Sequence, residues 1–174
     1  MISPARNRLT GFVLAALIFL ADQAVKWWVA GPLGLREEGD QIVLGPIFNL
    51  TRTHNYGTSL GLFTAHSSEA RWALVAMTAA IATVVLVWLL RERKLADVVP
   101  LGMVLGGALG NIRDRVGHGY VIDYADLHFG TFQPFLVFNL ADAAITIGVV
   151  IILARSFLIR EKRGDDAGAP ATET

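Results

Sequence analysis

The sequence predicts an all-α integral membrane protein with four transmembrane helices and a small extracytoplasmic β-rich element. Two observations carry this prediction. The chain of 174 residues is 53% hydrophobic and only 17% charged, with a mean hydropathy of +0.50, whereas soluble domains carry about 25% charged residues. It also contains four apolar segments, most of them close to the length of roughly 20 residues that crosses a bilayer.

Three of these segments, residues 9–29, 72–90 and 140–159, are long and almost continuously apolar. The remaining one, residues 98–112, is shorter and rich in glycine. Small residues at every fourth position (Gly102, Gly106 and Gly110) allow helix backbones to approach closely. We therefore expect this third helix to lie buried at the centre of the bundle.

Basic residues are distributed unequally between the two ends of the predicted helices. Nine Lys and Arg residues precede the first helix, link the second to the third, or lie at the end of the fourth and in the tail. Five fall in the longer segments on the other side. The positive-inside rule then places both termini in the cytoplasm.

The segment between the first two helices, about residues 31–69, is predicted to be a β-rich insertion. Residues 41–44 and 48–54 alternate partly between apolar and polar side chains, as half-buried strands do, and Gly45-Pro46 between them indicates a turn. The chain is thus a single membrane domain over residues 1–163, followed by a polar segment, 164–174, that we expect to be a disordered cytoplasmic tail.

Composition and motif spacing exclude several function classes. The net charge is zero, which does not favour nucleic-acid binding, and the absence of cysteine excludes a thiol nucleophile. The four histidines have no metal-binding spacing, so no metal is expected. The pattern Gly57-Thr58-Ser59-Leu60-Gly61 matches G-x-S-x-G, but the chain lacks the strand–turn–helix context of a serine hydrolase, and we interpret the match as a turn.

The polar residues of the apolar part collect near the outer ends of the helices. They are Asp22, Lys26, Asn55, Asn111, Asp114, Arg115, Asp123, Asn139 and Asp142. Ionisable groups at membrane depth are costly and generally mark functional sites. Clustering at one depth is what an active site open to both lipid and outside water would need.

Two close carboxylates cannot both ionise cheaply, so Asp123 and Asp142 together indicate acid–base chemistry in which one keeps a proton. Asp126 is a rival for the role of Asp123, and Asp142 could instead serve the N-terminus of the last helix. Asp22 and Lys26, four residues apart, are expected to form a structural ion pair.

Arg115 could hold Asp114 or another carboxylate through a bidentate contact. Either arrangement would order the site rather than perform the chemistry.

Five motifs in order resemble those of the bacterial type II signal peptidases, the lipoprotein signal peptidases. They are DQAVK (22–26), FNL with HNYG (48–57), GGALGN with DR (106–115), GYVIDY (119–124) and FNLAD (138–142). The second motif departs from the family pattern after its glycine, where Thr58-Ser59 and Leu60 replace small residues and an aromatic one. This departure affects the expected shape of the pocket.

The resemblance implies an intramembrane aspartyl endopeptidase with Asp123 and Asp142 as its catalytic pair. It also implies that the site is lined or ordered by Asn55, Asn111, Asp114, Arg115 and Asn139. The substrate would be a prolipoprotein, cut on the N-terminal side of its diacylglyceryl-modified cysteine in the bacterial inner membrane, near the outer leaflet. No cofactor is implied, and we expect a monomer in contact with membrane lipid. The alternative is a small ion-coupled transporter in which the two aspartates relay protons, but no internal repeat supports it.

Overall fold

The computed structural model describes residues 3–57, 67–130, 132, 134 and 136–167, and the side chains of the last helix up to Leu158. The helices are α1 (Pro4–Ala30), α2 (Ser68–Arg91), α3 (Leu95–Gly117) and α4 (Leu140–Ala167). Each contains a stretch long and apolar enough to cross a membrane. The four predicted helices are therefore confirmed, with ends that extend beyond the apolar runs.

The helix starts follow from local sequence. Ser3 precedes α1, its hydroxyl accepts the backbone N–H of Arg6, and Pro4 occupies the first turn, where a missing N–H costs nothing. Ser67 caps α2 in the same way by accepting the N–H of Ala70.

Helix α3 is the centre of the bundle, as the glycine spacing predicted. It packs against α1, α2 and α4, whereas α1 and α2 barely touch each other. A Cβ on Gly102 would lie 2.5 Å from the carbonyl oxygen of Gly11 in α1, and one on Gly107 would lie 2.5 Å from that of Ala141 in α4. The glycines therefore set how closely α1 and α4 approach α3.

A three-stranded antiparallel sheet, in the order β1 (Gln41–Val43), β2 (Phe48–Asn55) and β3 (Val121–Leu127), lies at one end of the bundle. The first two strands confirm the predicted β-rich insertion. The third strand was not predicted, and it comes from the link between α3 and α4. This strand carries Asp123 into the sheet, opposite Thr53.

Two predicted boundaries differ from the structure. Helix α3 ends at Gly117 rather than near residue 112, so Asp114 and Arg115 lie inside the helix. Helix α4 continues to Ala167, past residue 163, where we placed the end of the domain. Residues 168–174 of the expected tail lie outside the described residues, as do residues 58–61 of the G-x-S-x-G match.

Candidate active site

Asp123 is buried on β3 and is held by two amides. Its carboxylate is 1% exposed. Asn55 Nδ2 donates to Oδ2 at 3.0 Å, and Asn139 Nδ2 donates to Oδ1 at 2.6 Å. Burial, followed by the neighbouring charge of Asp142, raises the pKa of the Asp123 carboxyl to about 7, although the two amide hydrogen bonds oppose this shift. Asp123 is therefore poised to hold a proton near neutral pH.

Asp142 stands in the first turn of α4, immediately beside this group. Asn139 Oδ1 accepts the backbone N–H of Asp142 at 2.9 Å, and Asp142 Oδ2 accepts the N–H of Asn139 at 3.3 Å. This reciprocal pair is a capping box, which fixes the start of the helix. The other carboxylate oxygen, Oδ1, accepts from Asn111 Nδ2 at 2.8 Å. Helix capping thus orients Asp142 and leaves it half-buried.

Asparagines connect the two aspartates. Asn139 donates to the Asp123 carboxylate through its side-chain Nδ2 and to the Asp142 carboxylate through its backbone N–H. Its Nδ2 also lies 3.3 Å from Asn111 Oδ1. Asn55 donates to Asp123, and Asn111 donates to Asp142. The structure therefore brings the two predicted catalytic aspartates together with three of the predicted site asparagines.

A buried ion cluster between α1 and α3 adjoins the site. Lys26 Nζ lies 2.8 Å from Asp22 Oδ2 and 2.7 Å from Asp114 Oδ2, and the three side chains are 3%, 0% and 1% exposed. The ion pair predicted between Asp22 and Lys26 is therefore present, and it includes a second carboxylate. Lys26 Nζ also reaches Asn111 Oδ1 at 3.5 Å, which ties the cluster to the amide that holds Asp142.

The possible fork between Arg115 and Asp114 is not formed. Among the described residues, Asp114 takes Lys26 as its ion-pair partner and accepts from Gln23 and from the backbone N–H of Ile122. The physical reason is helix geometry: successive residues on a helix point about 100° apart, so Asp114 and Arg115 do not face each other. Arg115 Nε is buried and has no hydrogen-bond partner in the described part of the chain.

Asp126 lies three residues after Asp123, an odd spacing that places the two side chains on opposite faces of a strand. Thr51 Oγ1 donates to Asp126 Oδ2 at 2.9 Å, and His128 Nδ1 lies 3.8 Å from Oδ1. These two contacts are made at the sheet, whereas Asn139 binds Asp123 beside Asp142, which favours Asp123 over its rival.

Two residues that contribute to the site were not singled out from the sequence. Gln23 Nε2 donates to both Asp22 and Asp114, and the hydroxyl of Tyr124 accepts the backbone N–H of Leu140 at the start of α4. The only sequence signal was their position inside the motifs 22–26 and 119–124. No group of three or more His, Cys, Asp or Glu in the described ranges has an arrangement that could hold a metal ion.

An apolar cavity of about 270 Å³ opens beside Asp142. Its lining includes Leu127, Leu136, Phe138 and Ile147. A carboxylate at the edge of an apolar pocket can meet a substrate that is itself partly apolar.

Comparison with known proteins agrees with this geometry. The family model for signal peptidase (SPase) II matches residues 14–158. The chain is 49% identical over 163 residues to a lipoprotein signal peptidase of Sphingopyxis alaskensis, with 94% of both chains covered. It is 51% identical over 157 residues to one of Rhizorhabdus wittichii, with 90% of this chain and 91% of the relative covered.

A solved bacterial membrane enzyme has a similar fold, with a TM-score of 0.72 and 29% identity, covering 84% of this chain and 91% of that one. A second solved bacterial membrane enzyme also has a TM-score of 0.72, with 26% identity. The chain is thus a multi-pass bacterial membrane protein, and it belongs to the signal peptidase II family.

Proposed function

We propose that Asp123 and Asp142 are the catalytic pair with which this signal peptidase II removes signal peptides from prolipoproteins. The family membership establishes the reaction and the kind of substrate. The observation that supports the pair is Asn139, which contacts both carboxylates at once and so holds them next to one another. The family match does not favour the alternative of an ion-coupled transporter.

The two aspartates divide the roles of acid and base. Asp123, with a pKa raised to about 7, keeps a proton, and Asp142 carries the charge. Asp142 takes a proton from a water molecule as that water attacks the scissile carbonyl carbon, and Asp123 gives its proton to the carbonyl oxygen. The product of this step is a neutral tetrahedral diol with no bond to the enzyme.

Collapse of the diol restores the starting state. Asp142, now protonated, gives its proton to the leaving nitrogen as the C–N bond breaks. Asp123, now charged, takes a proton from one hydroxyl of the diol as the new carboxylic acid forms. Each aspartate ends with the protonation state in which it began, so no cofactor is needed.

The surrounding side chains act as positioning residues. Three asparagines, Asn55, Asn111 and Asn139, orient the carboxylates through hydrogen bonds from their amide groups. Amide groups cannot take up the protons that move during the reaction. Arg115 carries a positive charge in the field of Asp142, Asp123 and Asp114. Such a charge would favour the ionised member of the pair.

The substrate is proposed to carry a diacylglyceryl group on the cysteine that follows the cut. The apolar cavity beside Asp142 supports this, because a lipid chain or an apolar signal helix can fill it without burying polar groups. We further propose that both termini are cytoplasmic, that the site lies near the outer leaflet of the inner membrane, and that the protein acts as a monomer.

The direct test is cleavage by the purified protein in detergent. A precursor bearing the diacylglyceryl group and the same precursor without it are incubated with the enzyme, and the product masses are measured. We expect cleavage only of the lipid-modified precursor, at the bond before its cysteine. Equal cleavage of both precursors would contradict the proposed role of the lipid.

A further inference from the structure

Two cavities adjoin one another along α1, and neither includes Asp123 or Asp142. The first, of about 570 Å³, lies between α1 and α2 with α3 as its floor, and the second, of about 530 Å³, lies at the sheet end of α1 and α3. Phe19 lines both, so the two cavities meet at this residue, one with a polar lining and the other with an apolar one.

The first cavity, here called the α1–α2 groove, has the character of a site for hydrocarbon. Its lining includes Phe12, Leu86, Leu105 and Ile112. It exists because α1 and α2 both pack against α3 and make little contact with each other. The groove faces the apolar layer of the membrane, where acyl chains are the available solvent.

The second cavity, here called the basic pocket, is lined by Lys26, Arg52, Arg113 and His118 together with Asp114. Three cations and one carboxylate leave its lining with an excess of positive charge. The lysine is shared between this carboxylate at 2.7 Å and Asp22 at 2.8 Å, so these three groups together carry one negative charge. The two arginines exceed this charge, which leaves a net positive charge of one at the pocket.

The guanidinium of Arg52 is 6% exposed and is fixed by its neighbours. Its Nη1 donates to the carbonyl oxygen of Leu35 at 3.0 Å, and its Nε lies 3.1 Å from His54 Nε2. Its Nη2 donates to no residue within the described ranges. Arg113 is exposed, and its Nη1 lies 3.2 Å from His118 Nε2. Arginine groups held in this way suit the oxygens of a phosphate group.

We propose that the α1–α2 groove and the basic pocket together bind one anionic phospholipid, with an acyl chain in the groove and the phosphate headgroup in the pocket. The dimensions fit. Phe12 in the groove and Trp27 at the pocket are 15 residues apart on α1, or about 22 Å at 1.5 Å per residue. One bilayer leaflet with its headgroups is about the same thickness. Charge complementarity selects an anionic lipid over a neutral one.

The test measures lipid binding and does not depend on cleavage. The full-length protein in neutral detergent is titrated with phosphatidylglycerol and with phosphatidylcholine of the same acyl chains, and bound lipid is counted by native mass spectrometry. We expect phosphatidylglycerol to bind about tenfold more tightly, as one charge-assisted contact would give. Arg113→Gln should remove this preference. Arg36→Gln, at an exposed arginine outside both cavities, should retain it.

The groove is tested by filling it. Two variants, Ala16→Phe on α1 and Thr83→Phe on α2, place a large side chain at exposed positions that line the groove. Each should weaken the binding of both phospholipids about equally. Val13→Phe, an exposed position on α1 outside the groove, should not. The two groove variants guard against the failure of either one to fold.

Three outcomes would overturn the proposal. Equal binding of the two phospholipids would show that the pocket does not distinguish an anionic headgroup from a zwitterionic one. Full competition by inorganic phosphate, with no effect of the groove variants, would indicate a site for free phosphate. Binding of uncharged diacylglycerol as tight as that of phosphatidylglycerol would assign the groove to the lipid of the substrate instead.

Discussion

Replacing Lys26 with methionine should destabilise the protein strongly, because it leaves two buried carboxylates without their cation. Asp22 would retain the Gln23 amide and the backbone N–H of Ala141, and Asp114 would retain Gln23 and the N–H of Ile122. These are dipoles, which do not neutralise a charge. Both aspartates are at most 1% exposed, so water cannot compensate either.

The expected loss is about 3–5 kcal/mol in the free energy of unfolding, which is the range for breaking a buried ion pair from one side. At roughly 2–4 °C per kcal/mol for a chain of this size, the midpoint of thermal unfolding should fall by about 6–20 °C. The assay is thermal unfolding in detergent, followed by tryptophan fluorescence. Lys94→Met, at an exposed lysine, is the matched control and should change little.

A variant in which all three charged side chains are replaced by neutral ones distinguishes the effect of charge on stability from the effect of packing. The triple variant Asp22→Asn, Lys26→Met, Asp114→Asn removes all three charges, and replacing a buried ion pair as a whole is often close to neutral. It should therefore recover most of the stability that Lys26→Met loses. The reasoning is refuted if Lys26→Met unfolds within about 1 kcal/mol of the parent, or if the triple variant is less stable than the single one.

Three further expectations follow from packing, protonation and charge distribution. Gly102→Ala should lower the free energy of unfolding by about 1–3 kcal/mol, because its Cβ would lie 2.5 Å from the Gly11 carbonyl oxygen. Gly45→Ala, whose Cβ would have no atom within 4 Å, should leave the unfolding midpoint unchanged in the same assay. The single-turnover rate of precursor cleavage should fall as pH rises through about 7, because Asp123 then loses the proton it must donate; a rate that rises across this range would contradict the assigned roles. A cysteine at Ser67 should react with an impermeant maleimide in intact cells and one at Thr174 only after lysis, and the reverse pattern would invert the topology.

The membrane spans could be predicted from the sequence because each is a long apolar run, and the central position of α3 followed from its glycines. The strand β3 could not. Its six residues from Val121 to Asp126 are all buried, so the apolar–polar alternation that reveals a half-buried strand is missing. Two aspartates among them make the segment look like a loop.

The candidate site was predictable as a set of residues but not as a set of contacts. The pairing of Asp22 with Lys26 is local, four residues apart on one helix, and was correctly expected. The partner of Asp114 is distant in sequence: it is Lys26 on α1, whereas the sequence suggested the adjacent Arg115. Such pairings depend on how α1 and α3 pack, which spacing along one helix does not contain.

The central claim is that Asp123 and Asp142 act as one catalytic unit, and it is tested most directly by the single-turnover cleavage rates of four purified variants on a lipid-modified precursor. Asp123→Asn and Asp142→Asn should each abolish turnover, since asparagine keeps the shape of the side chain but cannot exchange protons with water or diol. The double variant should be scarcely worse than either single one, because groups that act as a unit are not additive. Asp126→Asn, held by Thr51 in the sheet, should be much milder. Near-normal turnover by Asp123→Asn together with loss of turnover by Asp126→Asn would contradict the assignment, and activity in all of them would contradict the aspartyl mechanism itself.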